Sequence, residues 1–152
     1  MTAPLAFEDF TPGQVFELGS YEVSREEIIE FASEFDPQPF HLDEEAGAAS
    51  ILGGLAASGW HTASITMRLL ALGVLNSSTC QGSPGIEKLL WRKPVYAGDV
   101  LTARMEILAV RPLRSKPGLG MITMRLETMN QSGAMVMTYE NPALFGMRSN
   151  NT

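Results

Sequence analysis

The sequence predicts an α+β fold, a long antiparallel sheet wrapped around one buried helix. Three observations carry that expectation. From Ile86 to Phe145 the chain is a series of strand-like runs separated by turn residues, with no helical pattern between them, so the strands should be antiparallel. Helical spacing is confined to the stretch from Ser24 to Gly73. Within it, Trp60 to Leu72 is apolar on nearly every side, the pattern of a buried helix. At 152 residues, one domain over 1–152 is expected, with enough chain for a real core.

The elements follow in order. Residues Phe7 to Gly13 are irregular and turn at Thr11-Pro12-Gly13. Gln14 to Val23 alternates loosely and reads as a first strand. Ser24 opens a helix with the capping box Ser-Arg-Glu-Glu, in which Ser24 and Glu27 satisfy each other's backbone N–H groups. Ile28, Phe31, Ala32 and Phe35 form its apolar stripe. The helix should end at Asp36, because proline at position 37 disfavours the helical conformation before it. A short helix should open at His41, with acidic residues in its first turn. Ser50 to Gly54 is a loop, and Ser58 is placed to cap the buried helix, which Gly73 closes. Asn76 to Gly85 reads as a loop. Four strands then form a meander: Ile86 to Val95, Val100 to Val110, Leu119 to Met129 and Ala134 to Phe145. Asn130 to Gly133 is a hairpin turn, and Pro142 marks a bulge or an edge in the last strand.

Composition narrows the function. A net charge of −6 argues against nucleic acid as the main partner, since phosphate binding needs a basic surface. One cysteine, Cys80, excludes an internal disulfide framework and a cysteine-based zinc site, and fits a reducing compartment. The start of the chain has no basic segment followed by an apolar run, and no apolar stretch reaches membrane-spanning length. The expectation is a soluble, cytoplasmic protein.

The chemistry concentrates between Phe31 and Asp43. Asp36 and His41 lie five residues apart, with Pro37 and Pro39 stiffening the backbone between them. A carboxylate and an imidazole held at short range are what proton transfer needs. The competing reading is a capping Asp and a His that covers a loop. Ser58, Gly59 and Trp60 begin the buried helix, and free N–H groups there suit developing negative charge. Ser58 as a helix cap and nothing more is an equal reading. His61, in the first turn, reads as a core or interface histidine rather than a second base.

The stretch DPQPFHLD, Asp36 to Asp43, resembles the hydratase motif Asp-x-Asn-Pro-x-His-x-Asp of the MaoC-like dehydratases, the R-specific or type 2 enoyl-CoA hydratases. ASGWHT at the central helix, WRKPVYAGD before a strand and NQSGAMVM in the last hairpin extend the resemblance from about Phe7 to Phe145. It implies the hot-dog fold and a homodimer, or a higher assembly of dimers, joined sheet edge to sheet edge. It also implies addition of water to a 2-enoyl-CoA thioester, or its removal from an R-3-hydroxyacyl-CoA. Asp36 and His41 match the residues that hold the reacting water. Gly59 matches the glycine whose N–H polarises the thioester carbonyl. No metal or separate cofactor is implied, coenzyme A being part of the substrate. Gln38 replaces the motif's Asn, and Ser58-Gly59 replaces the usual His-Gly pair, so Gln38 and Ser58 become candidate substrate contacts and the acyl group stays open. Arg111, Arg114 and Lys116 are the favoured cluster for the coenzyme A phosphates, ahead of Arg92 with Lys93. A thioesterase on the same fold and a non-catalytic acyl-thioester-binding subunit are the competing functions.

Overall fold

The computed structural model describes residues 3–148, so the ends of the expected 1–152 domain lie outside the described residues. A 3₁₀ turn at Phe7–Asp9 precedes β1 (Val15–Glu22). Four helices follow: α1 (Arg25–Phe35), α2 (Pro39–Leu42), α3 (Glu44–Ala49) and α4 (Gly59–Gly73). The remaining strands are β2 (Cys80–Gly82), β3 (Glu87–Trp91), β4 (Val100–Pro112), β5 (Leu119–Met129) and β6 (Met135–Gly146). They form one antiparallel sheet in the order β1-β4-β5-β6-β2, with β3 also on β6.

Strict alternation builds the core. Along β4, Leu101, Ala103, Met105 and Ile107 point inward, and Ile122, Met124 and Leu126 do so along β5. They meet Ile65, Leu69 and Leu70 of α4. Cross-strand pairs such as Arg104 with Glu127, at 2.7 Å, lie on the opposite, partly solvated face.

Several expectations need correction. The helix α4 is buried along one side only: Trp60, Met67 and Leu72 are exposed. Its apolar character exceeds what the sheet of one chain covers. The strand expected over Ile86 to Val95 is shorter and pairs with β6 rather than with β4, the next in sequence. Residues 92–99 cross to the other side of the sheet instead. On the way the Val95 carbonyl accepts from Ala57 N–H, and the backbones of Val23, Gly98 and Asp99 are exchanged in hydrogen bonds. The expected loop over Asn76 to Gly85 contains β2, which takes up the end of β6 at Phe145 and Leu144. Pro142 falls between the reaches of β3 and β2 on β6, an effective edge where its missing N–H loses no ladder bond. At α1, Ser24 accepts from Glu27 N–H at 3.1 Å, but the reciprocal half of the capping box is not made. The Glu27 carboxylate accepts from the Tyr21 hydroxyl instead.

Candidate active site

The site begins where α1 stops. Asp36 is the C-cap of α1, and Pro37 keeps the chain from continuing as helix. Gln38 is extended, and Pro39 then opens α2 as its first residue, where a missing N–H is harmless. The short helix expected from His41 is thus two: His41 rides on a one-turn helix that starts at Pro39, and α3 starts separately, capped by Asp43 at 2.9 Å from Ala46 N. The short turn brings the side chains together: His41 Nε2 lies 3.4 Å from Asp36 Oδ2.

Three neighbours hold this pair. Ser58, fully buried, donates to Asp36 Oδ2 at 2.7 Å while accepting from Trp60 N–H at 3.2 Å. Gln38 donates to Asp36 Oδ1 at 2.6 Å. The Ala56 carbonyl lies 2.6 Å from His41 Nδ1. A carbonyl only accepts, so Nδ1 carries the proton and Nε2 of the neutral ring is the free lone pair. Ala56 gets there because α3 and the segment before α4 touch: a Cβ on Gly47 would meet the Gly54 carbonyl oxygen at 2.5 Å. Burial pushes the Asp36 carboxyl up, but the hydrogen bonds from Ser58 and Gln38, with the adjacent His41, outweigh it and hold the group below its ordinary value.

The pair opens on a cleft of about 420 Å³, whose walls include Gly59, Thr62, Trp91 and Lys93. Gly59 is required at its place, since a side chain there would run into the Trp91 indole, whose N–H donates to the Gly59 carbonyl at 2.8 Å. The backbone N–H groups of His61 and Thr62 are taken by the Ser58 carbonyl, and that of Trp60 by Ser58 Oγ. The Gly59 N–H has no partner among the described residues, and Gly59 lines the cleft.

The candidates from sequence are thus distributed unequally. Asp36, Gln38, His41 and Gly59 line the cleft, and Ser58 supports it from beneath. Arg111, Arg114 and Lys116 do not line it; they lie at the end of β4 and in the turn before β5. The cations on its wall are Arg92 and Lys93, and Arg92 donates to Thr138 at 3.0 Å. Trp91 and Thr62 line the cleft as well, without being site candidates from sequence. The stretch WRKPVYAGD carries the signal for Trp91, Arg92 and Lys93, which stand at the end of β3 and just past it on the cleft wall. His61 sits elsewhere, 3% exposed and stacked on Phe31 at 4.7 Å. Among the described residues, no group of three or more His, Cys, Asp or Glu side chains is disposed to hold a metal. No helix among them is long and apolar enough to cross a membrane.

One antiparallel sheet around a central helix, with an Asp–His pair at that helix's N-terminus, defines a protein of the hot-dog class. The chain belongs to the MaoC-like domain family, whose model matches residues 8–129. It is similar to the uncharacterized protein YdeM of Bacillus subtilis, at 36% identity over 137 residues, 90% of this chain and 95% of the relative. It is also similar to the 3-hydroxybutyryl-CoA dehydratase of Methylorubrum extorquens, at 28% identity over 76% of this chain and 71% of that one. Among solved structures, the MaoC-like dehydratase of Rhodospirillum rubrum superposes with a TM-score of 0.90 at 41% identity, covering 96% of this chain and 99% of that chain.

Proposed function

We propose that the chain is a hydratase and dehydratase of acyl-CoA thioesters, interconverting a 2-enoyl-CoA and the R-3-hydroxyacyl-CoA. The observation that carries this reading is the pair of acceptors, His41 Nε2 and Asp36 Oδ2, 3.4 Å apart on one cleft. A water molecule between them donates one hydrogen to each, which orients its oxygen lone pairs toward the substrate. In hydration the water oxygen bonds to C3, and the C2–C3 π electrons move through C1 onto the thioester oxygen. The water's proton passes to His41 Nε2, whose free lone pair faces it, since Asp36 is held ionised and weakly basic. The enolate then collapses and C2 takes the proton from the imidazolium, which restores the site. Dehydration is the same path reversed. The Gly59 N–H meets the carbonyl oxygen as its charge grows, a contribution of about 3–4 kcal/mol to the barrier where such donors have been removed.

The similarity to the 3-hydroxybutyryl-CoA dehydratase of Methylorubrum extorquens supports this reading. Arg92 and Lys93 at the cleft, rather than the β4–β5 turn, are then the groups placed to meet the coenzyme A phosphates. The apolar side chains exposed at and beside β3, Ile86, Leu90 and Trp91, support a homodimer joined at that edge. The test is ultraviolet absorbance with crotonyl-CoA and a panel of branched and dicarboxylic enoyl-CoAs. Loss of the conjugated-enoyl band without release of free thiol is the expected result. Thiol release with an unchanged enoyl band would overturn hydration in favour of a thioesterase.

A further inference from the structure

We propose that Thr62 is a second hydrogen-bond donor to the thioester carbonyl, acting beside the Gly59 N–H; this rests on the thioester reading above. Past its cap, α4 carries three hydroxyl side chains: Thr62, Ser64 and Thr66. Ser64 donates to the Trp60 carbonyl at 2.8 Å, and Thr66 to the Thr62 carbonyl at 3.1 Å, with Thr128 Oγ1 a further 2.6 Å partner. Turning back on the preceding turn is the ordinary fate of a hydroxyl inside a helix. Thr62 does otherwise. It is 3% exposed, yet its hydroxyl bonds no described residue, the Ser58 carbonyl one turn back included. It is not sealed in the core either. The one fully buried, partnerless side-chain polar atom among the described residues is His61 Nδ1, and Thr62 lines the Asp36–His41 cleft.

Position decides what the hydroxyl meets. Residues three apart share a helix face, and the Cα–Cβ bond leans toward the N-terminus. The Thr62 side chain is thus carried back over the first turn, toward Gly59. Two uncommitted donors, the Gly59 N–H and the Thr62 hydroxyl, face one cleft from one turn of helix. A carbonyl oxygen has two lone pairs, and in a cleft walled by Trp91 and Val95 a single N–H leaves the forming oxyanion half served. The hydroxyl donates a hydrogen bond and transfers no proton, so proton traffic through Asp36 and His41 is unaltered.

The test uses the full chain with butyryl-CoA carrying ¹³C at the thioester carbonyl. This ester is saturated and cannot be hydrated, so it reports the carbonyl contact without turnover. Bound to the unaltered protein, its infrared carbonyl band should lie below that of the free ester. Thr62→Val keeps the volume and should move the band back toward the free position; Thr62→Ser should hold it. Thr62→Ala must behave as Thr62→Val, so that a packing fault in one variant does not stand in for loss of the hydroxyl. With crotonyl-CoA, Thr62→Val should lower kcat on the order of 100-fold with little change in KM. The proposal is overturned if Thr62→Val keeps the original band, or if it alters only the preference among acyl tails while kcat on crotonyl-CoA is unchanged. A Thr62-dependent band shift in a protein that hydrates no enoyl-CoA would sustain this proposal and sink the hydratase reading. Failure to bind any acyl-CoA would sink both.

Discussion

The chain has two histidines, both buried, and each faces a carboxylate: His41 lies 3.4 Å from Asp36, and His61 lies 3.8 Å from Glu27. The surroundings differ. His41 has Nδ1 committed to a backbone carbonyl and Nε2 turned toward a cleft, beside a carboxylate with two further donors. His61 has Nδ1 without a partner, its ring flat against Phe31, and a carboxylate already engaged by Tyr21. Proximity of acid and base is therefore common to both, and what separates them is orientation: one pair has its tautomer fixed and its free lone pair directed at space a substrate can enter. The other lines a second cleft, of about 400 Å³, with Tyr21 and Arg68 beside it, but no partner fixes its tautomer.

The largest effect expected is on the cleft pair. Asp36→Asn and His41→Gln should each lower hydration of the best enoyl-CoA by about 100- to 10,000-fold with little change in melting temperature. His61→Gln should leave neutral-pH activity within about threefold. Equal losses at the two histidines, measured as kcat/KM on one substrate, would break the distinction. A smaller effect is expected at Ser58. Ser58→Ala removes a donor to Asp36 and a helix cap together, so it should lower stability by about 1 kcal/mol in chemical denaturation. The Asp36 carboxyl should rise toward its ordinary value, and the acid limb of kcat/KM should move to higher pH. An unmoved acid limb would mean that Ser58 serves the helix alone. At the cleft wall, Arg92→Gln with Lys93→Gln should raise KM for the CoA ester about tenfold while kcat holds. The matched changes at Arg111 and Arg114 should do less, and the reverse order would return the phosphates to the β4–β5 turn.

How much of this is legible in the sequence depends on how local each cause is. Pro37 and Pro39 write the exit from α1 and the start of α2 into the chain, so Asp36 and His41 can be paired from the residues alone. The inward alternation of β4 to β6 is equally local. The fixation of His41 is not legible, because its partner Ala56 is reached only through the close approach of Gly47 to Gly54, a tertiary contact. The pairing of β3 with β6 is hidden for a similar reason. Eight residues with Pro94 among them let the chain leave β6 and re-enter the sheet at β4, between β1 and β5, and adjacency in sequence says nothing about that path. The capping box fails at Glu27 because Tyr21, on another element, offers its carboxylate a hydroxyl. Local rules choose the residue types, and long-range contacts choose their partners.

The smallest effect, and the one that tests the core side of the comparison, is in the acid range. Burial holds the His61 imidazole below its ordinary value of 6.5, against an opposing pull from Glu27. The unfolded chain therefore takes up this proton near pH 6.5, while the folded chain resists until lower pH. Between those points the unfolded state binds more protons, so stability rises with pH and is lost on acidification below about 6.5. His61→Gln has no such proton to take, and whatever its absolute stability, its melting temperature should fall less steeply over that window. The comparison is of slopes, measured by thermal melts at matched ionic strength from neutral pH downward. Parallel slopes would mean that the folded protein accepts the proton as readily as the unfolded chain, with the Glu27 carboxylate compensating fully for burial. His61 would then be an ion-paired residue like any other, set apart from His41 by the orientation of its free lone pair.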